Sequence, residues 1–176
     1  MLVKLRNGLD HFLQWVVIGL MISLTIMVIV AVLYRKFGAS LSWYDEVASI
    51  ALAWITYYGA ALAALHRQYL GFDSVLLSMP LKLRMAMLVV AETLVIGFFL
   101  LLGWAGWRVL QVVGDESLIS LPWVPVLVTQ SVIPIGAALF IICELLSLPD
   151  YWRSVRAGKS LEHPEIDVPA PTSERS

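Results

Sequence analysis

Charge is what this chain of 176 residues has least of: 14% are Asp, Glu, Lys or Arg, against about 25% in an ordinary soluble domain. With 60% hydrophobic residues and a mean hydropathy of +0.83, the shortage points to a membrane protein before any segment is drawn. The net charge of −1 leaves no basic surface for nucleic acid. The one cysteine, Cys143, excludes an internal disulfide. The histidines, His11, His66 and His163, lie near or outside the ends of apolar runs, where they could not ligate a haem within a bundle. No metal-ligand spacing, Ser/His/Asp set, Gly-rich phosphate loop or GxSxG pattern occurs. Neither an enzyme nor a cofactor is therefore expected. No small-residue cleavage site precedes Arg35, which argues against a cleavable signal peptide, and no fixed-period repeat is found.

What remains are long runs without charge. Residues 47–65 carry none, about the length that crosses a hydrocarbon core of roughly 30 Å. Residues 12–34, also without charge, and the apolar runs 85–107 and from Leu121-Pro122-Trp123 to Leu148-Pro149 read as further spans. The expected fold is all-α with four transmembrane helices: a leader at 1–11, a membrane domain at 12–148 and a polar, Pro-rich tail at 149–176. Between the second and third spans, Asp73 caps a short amphipathic turn in which Val75, Leu76 and Met79 share a face, an interfacial segment. Pro80 marks the next helix start, and Arg108 ends the third span. Lys and Arg are sparse on two loops, which hold Arg35, Lys36 and Arg108. By the charge bias of cytoplasmic loops, both termini face the cytoplasm; Arg35 and Lys36 pull the other way.

The second span is the one around which the others are organised. Ser42 and Asp45 have the spacing of an N-cap and its reciprocal partner. Asp45 and Glu46 form an acidic collar beside the interfacial ring of Trp43. Ser49, Ala53, Thr56, Ala60 and Ala63 recur at spacings of four and three, leaving one face almost bare of bulk, as helix–helix contacts in lipid require. Trp54, at mid-span, faces lipid or anchors a partner.

Glu92 reads as the only acid well inside any span. A structural or interfacial position for it outweighs a proton or cation role, with interhelical pairing as the remaining reading. Pro134 interrupts the fourth span and frees the carbonyl of Gln130, which reads as a packing kink. No second broken span matches it, as an ion path would require.

Trp43-x-Asp45-Glu46, then Trp54, Gly59, Phe72-Asp73 and Pro80, resemble the small membrane subunit of tripartite ATP-independent periplasmic (TRAP) transporters, the DctQ-like family. Leu121-Pro122-Trp123 followed by Ile133-Pro134-Ile135-Gly136 is similar to that family's fourth-helix pattern. Tyr69-Leu70 depart from the His-Ile the family often has before its Val-Asp, so no contact of that His carries over. The resemblance implies a multi-pass protein of the bacterial inner membrane. Its partners would be a large multi-span subunit, a periplasmic substrate-binding protein and the lipid bilayer. The transported class would be organic acids, such as C4-dicarboxylates or sialic acid, moved on a sodium gradient. It makes Trp43, Asp45, Glu46, Ser49, Ala53, Trp54, Gly59, Asp73, Pro134 and Gly136 candidate partner-interface residues. Two other readings compete: a self-sufficient four-span proton-coupled transporter, and a membrane anchor of a respiratory complex.

Overall fold

The computed structural model describes residues 2–38, 41–66, 80–114 and 116–157. Asp73, the proposed interfacial segment, Asp115 and the tail beyond Ala157 lie outside them. Among the described residues most are helical and none forms a strand longer than an isolated bridge. Five helices form among them: α1 (Leu2–Lys36), α2 (Tyr44–His66), α3 (Leu81–Val113), α4 (Val126–Gln130) and α5 (Val132–Ala157). Four candidate spans, Arg6–Lys36, Tyr44–His66, Met85–Val113 and Val126–Arg153, are long and apolar enough to cross a membrane.

The helices overrun the charge-free stretches. α1 begins near the N-terminus, so Arg6 and Asp10 ride on the same rod as the apolar run. At about 1.5 Å per residue, its 35 residues measure roughly 50 Å. α3 continues past Arg108 to Val113, and α5 runs through Pro149. Pro149 removes a bond to the carbonyl of Leu145, a half-exposed residue. Gly38, at φ +82°, ends α1 in the left-handed conformation usual beyond a helix C-terminus.

The fourth span does not start at Leu121-Pro122-Trp123. Those residues are the tip of a loop closed by a bridge between Ser117 and Pro125. Leu118 N–H donates to Val124 O (3.0 Å) and Val126 N–H to Glu116 O (2.9 Å). The helical path then breaks at Ser131, three residues before Pro134, which lies in the first turn of α5 where a missing N–H costs least.

α1 packs on α2, α2 on α5, and α5 on α3, so the helices stand mostly in a row rather than a closed bundle. α2 and α5 are the inner members, and the span ending in α5 is the most enclosed, with 28% of its most apolar window buried against 6–11% for the other three. Small residues allow the close approaches. A Cβ on Gly136 would lie 2.7 Å from Tyr57 Cβ of α2, and one on Gly106 of α3 would lie 2.6 Å from Ile133 Cγ2. Phe99 of α3 stacks on Phe140 of α5, with centroids 3.5 Å apart and planes at 7°. Leu13, Ala61, Ala64, Leu65, Phe140 and Cys143 form the small buried core. Outward, α1 exposes Ile18, Ile22, Ile26 and Ile29, a surface suited to acyl chains.

Candidate functional site: the open face of α2 and its two polar ends

α2 starts at Tyr44, with the carbonyl of Trp43 accepting the first bond from Val47 N–H (3.1 Å). The expected Ser42–Asp45 reciprocal cap is thus displaced. Ser42 offers its carbonyl to Ser120 Oγ (3.4 Å) instead. Of the acidic collar, Glu46 is the member used within the chain. Its carboxylate accepts the N–H of Ser120 (3.0 Å) and of Ile119 (3.3 Å), tying the loop before α4 to the start of α2. An ionised acceptor makes these stronger than neutral hydrogen bonds. Asp45 is exposed on another side of the helix.

Trp54 faces neither lipid alone nor a partner alone. Its indole Nε1–H donates to the carbonyl of Thr129 (3.2 Å), and its ring lies 6.1 Å from that of Tyr58. Thr129 is the next-to-last residue of α4, so Trp54 holds the kink against α2. Pro134 and Gly136 likewise serve contacts inside the chain, against Gly106 and Tyr57. Four of the ten interface candidates, Glu46, Trp54, Pro134 and Gly136, therefore have internal partners in this fold.

The small-residue stripe behaves differently. Ser49 and Thr56 are exposed, Ala53 and Ala63 half buried, and a Cβ on Gly59 would meet nothing within 4 Å. Leu52, between them, is 58% exposed. Both hydroxyls are satisfied along their own helix: Ser49 Oγ donates to Glu46 O and Thr56 Oγ1 to Leu52 O, each at 2.8 Å. The stripe is therefore polar in composition but quiet in hydrogen bonding, and close apposition of another helix needs no new polar partner. Beside it, Ser49, Ala53, Tyr57, Thr129 and Gln130 line a groove of about 360 Å³ at the kink between α4 and α5. Among the described residues no side-chain hydrogen bond reaches the Gln130 carboxamide.

At the opposite end of α2, side chains from both neighbours converge. Arg6 Nη2 donates to Leu65 O (3.3 Å), and Ser147 Oγ to Ala64 O (3.1 Å). These are two of the last four carbonyls of α2, which have no partner inside the helix. Asp10 Oδ1 lies 2.7 Å from His66 Nε2 and accepts Gln14 Nε2–H at 2.9 Å.

Next to Ser147 stands Glu144, 1% exposed. It corrects the reading of Glu92 as the only acid well inside a span. Glu92 is half buried on α3, whereas Glu144 is enclosed on α5. The signal was legible: Cys143, Glu144 and Ser147 fall on one side of a helix by their spacing of one, three and four, and all three are buried. Among the described residues no group of three or more His, Cys, Asp or Glu could hold a metal ion.

Among curated proteins, no match is found. The family described as "Tripartite ATP-independent periplasmic transporters, DctQ component" matches residues 5–154, which takes in all four candidate spans. A match over that much of the chain, on a scaffold of four membrane-length helices, settles the family: the chain belongs to the DctQ family, the small membrane components of TRAP transporters.

Proposed function

We propose that this chain acts as a brace for the large membrane subunit of its transporter, presenting the open face of α2 to a helix of that subunit. It has no conduit of its own. The observation that carries this is the stripe of Ser49, Leu52, Thr56 and Gly59, which among the described residues stays open along α2, while Gly106 and Gly136 are taken up by close approaches inside the chain. In lipid, helices associate through such close van der Waals contact and not through a hydrophobic effect. The row of α1, α2, α5 and α3 gives the brace breadth in the membrane plane while engaging few of its own side chains.

In this reading both termini are cytoplasmic, and the loop held by Glu46 lies on the periplasmic side, where the substrate-binding protein arrives. The transporter uses a sodium gradient to take up organic acids of the C4-dicarboxylate or sialic acid type, and selectivity resides in the other components. The bacterial inner membrane is the site of action. Gln130 in the groove lies beside this face, and it and Trp43 at the head of α2 belong to the proposed joint.

Thr56→Trp tests it, since an indole on the stripe blocks close approach and removes only the exposed hydrogen bond of Thr56 Oγ1 to Leu52 O in the same helix. The expected result is at least about a tenfold loss of co-purification with the large subunit, with thermal unfolding of the chain alone unchanged. Undiminished assembly and uptake by the variant would refute the face. Solute accumulation in vesicles holding this chain alone would refute the brace.

A further inference from the structure

The corner where α1 hands over to α2 holds a pocket of about 140 Å³, lined by Ala31, Val32, Arg35, Leu41, Tyr44 and Asp45. Ala31 and Arg35 are one turn apart on the same face of α1, and Tyr44 and Asp45 form the first turn of α2. The pocket thus carries one cation, from the end of α1, and one anion, from the first turn of α2, together with three aliphatic side chains. Arg35 and Asp45 are both exposed. Among the described residues neither side chain makes an ion pair or hydrogen bond, to the other or to anything else.

We propose that this corner binds the headgroup of a zwitterionic phospholipid bearing a primary ammonium, phosphatidylethanolamine. The phosphate sits on Arg35 and the ammonium on Asp45. A guanidinium presents paired donors that match phosphate oxygens, and the carboxylate takes the ammonium. Ala31, Val32 and Leu41 cover the glycerol and the first methylenes.

Depth agrees with this. The pocket lies at the ends of two candidate spans, Arg6–Lys36 and Tyr44–His66, where headgroups meet the hydrocarbon. The inference rests on these helices spanning the membrane, and not on the docking face assigned to α2. An anionic lipid fits less well, because Asp45 repels its net charge. A single charged side chain from a protein partner would satisfy only one of the two charges. Arg35 also complements the negative end of α1, but that role gives Asp45 no part and discriminates between no lipids. The site also accounts for Arg35 on a loop that the charge bias would leave without a basic residue.

The test uses the full chain purified in mild detergent. Retained lipid is measured by native mass spectrometry, and affinity by titration with phosphatidylethanolamine or phosphatidylglycerol. Wild type should retain phosphatidylethanolamine and prefer it to phosphatidylglycerol. Arg35→Gln should weaken its binding by about tenfold, the value of one charge-assisted contact. Asp45→Asn should weaken phosphatidylethanolamine and strengthen phosphatidylglycerol, reversing the preference. Lys36→Gln, adjacent but outside the pocket, should change neither. Equal binding by wild type and Arg35→Gln, or preference of wild type for phosphatidylglycerol, overturns the proposal. So does a result in which both pocket variants keep their lipid and instead lose the large subunit. Unfolding temperatures of the variants confirm that a loss of lipid is not a loss of fold.

Discussion

Adding one methyl group at Gly136 should weaken this protein, and the structure specifies which second substitution fails to repair it. The new Cβ would lie 2.7 Å from Tyr57 Cβ, 2.9 Å from its Cδ1 and 3.0 Å from its Cγ, where ordinary contact begins at 3.4 Å. The nearest atom is fixed to the backbone of α2, so no rotation of the Tyr57 ring removes the clash. The two helices must separate by about 0.7 Å, along the interface that joins the two inner helices. Overpacking of this kind typically costs about 1–3 kcal/mol. Tyr57→Ala keeps the Cβ, so Gly136→Ala/Tyr57→Ala should be no more stable than the sum of the single variants allows.

Gly106 supplies the contrast. There the closest atom is Ile133 Cγ2 at 2.6 Å, the end of a branch, with Ile133 Cβ and Pro134 Cδ each at 3.1 Å. Ile133→Ala removes the worst contact and should recover part of the loss in Gly106→Ala, visible as a favourable coupling in a double-mutant cycle. Reversible unfolding in mixed detergent micelles measures all six variants. Rescue at position 136 by Tyr57→Ala, or a Gly136→Ala variant as stable as wild type, would mean that the α2–α5 approach is looser than described.

Two further substitutions probe the loop and the kink. Glu46→Ala removes both acceptors of the Ile119 and Ser120 N–H groups. At a partly exposed site, the loss of about 1.5 kcal/mol for these bonds should raise hydrogen exchange at the two amides roughly tenfold; unchanged exchange there would contradict the clamp. Trp54→Phe keeps an aromatic ring, though a smaller one, and loses the donor to Thr129 O. It should cost about 0.5–1.5 kcal/mol of stability, and the same variant made on a Thr129→Ala background should cost as much, since the acceptor is backbone.

The spans were legible because lipid imposes a simple rule: a run of about twenty residues without charge must be helical, as no water is present to satisfy its backbone. Their ends were not, because helices continue into water on other terms. Arg6, Asp10 and Gln14 extend α1 with side chains that find partners at the end of α2. Pro149 reads as a stop, yet α5 tolerates one missing bond next to half-exposed Leu145. The site was readable in part. The bare stripe of α2 follows from spacing alone and does stay open at Ser49 and Thr56. That Trp54, Pro134 and Gly136 turn inward could not be read, because each is fixed by a residue distant in sequence: Thr129, Gly106 and Tyr57. The row-like order of helices has the same cause, since local pattern does not say which apolar faces meet. Glu144 escaped for the opposite reason. Its apolar surroundings made the whole run read as uniform, although Ser147 one turn later marks a polar face.

That polar face governs the end of α2. Ser147 is 1% exposed and Ala64, whose carbonyl it serves, is fully buried. A buried carbonyl without a partner costs about 1–3 kcal/mol, and near a helix C-terminus no N–H further along the helix can replace the hydroxyl. Ser147 Oγ also lies 3.0 Å from the carbonyl of Glu144 in its own helix. A serine there would satisfy itself even if α2 moved away, so the bond to Ala64 must compete with a local one and its net value falls toward the low end. Ser147→Ala is therefore expected to cost about 1–2 kcal/mol, with Ser147→Cys in between, since a thiol is a weaker donor of similar shape. The loss should appear selectively as faster hydrogen exchange in the last turn of α2, while the first turn, held by Glu46, keeps its protection. If exchange rose equally at both ends of α2, the helix would be opening as one cooperative unit, and the separate ties at its two ends would have no independent meaning.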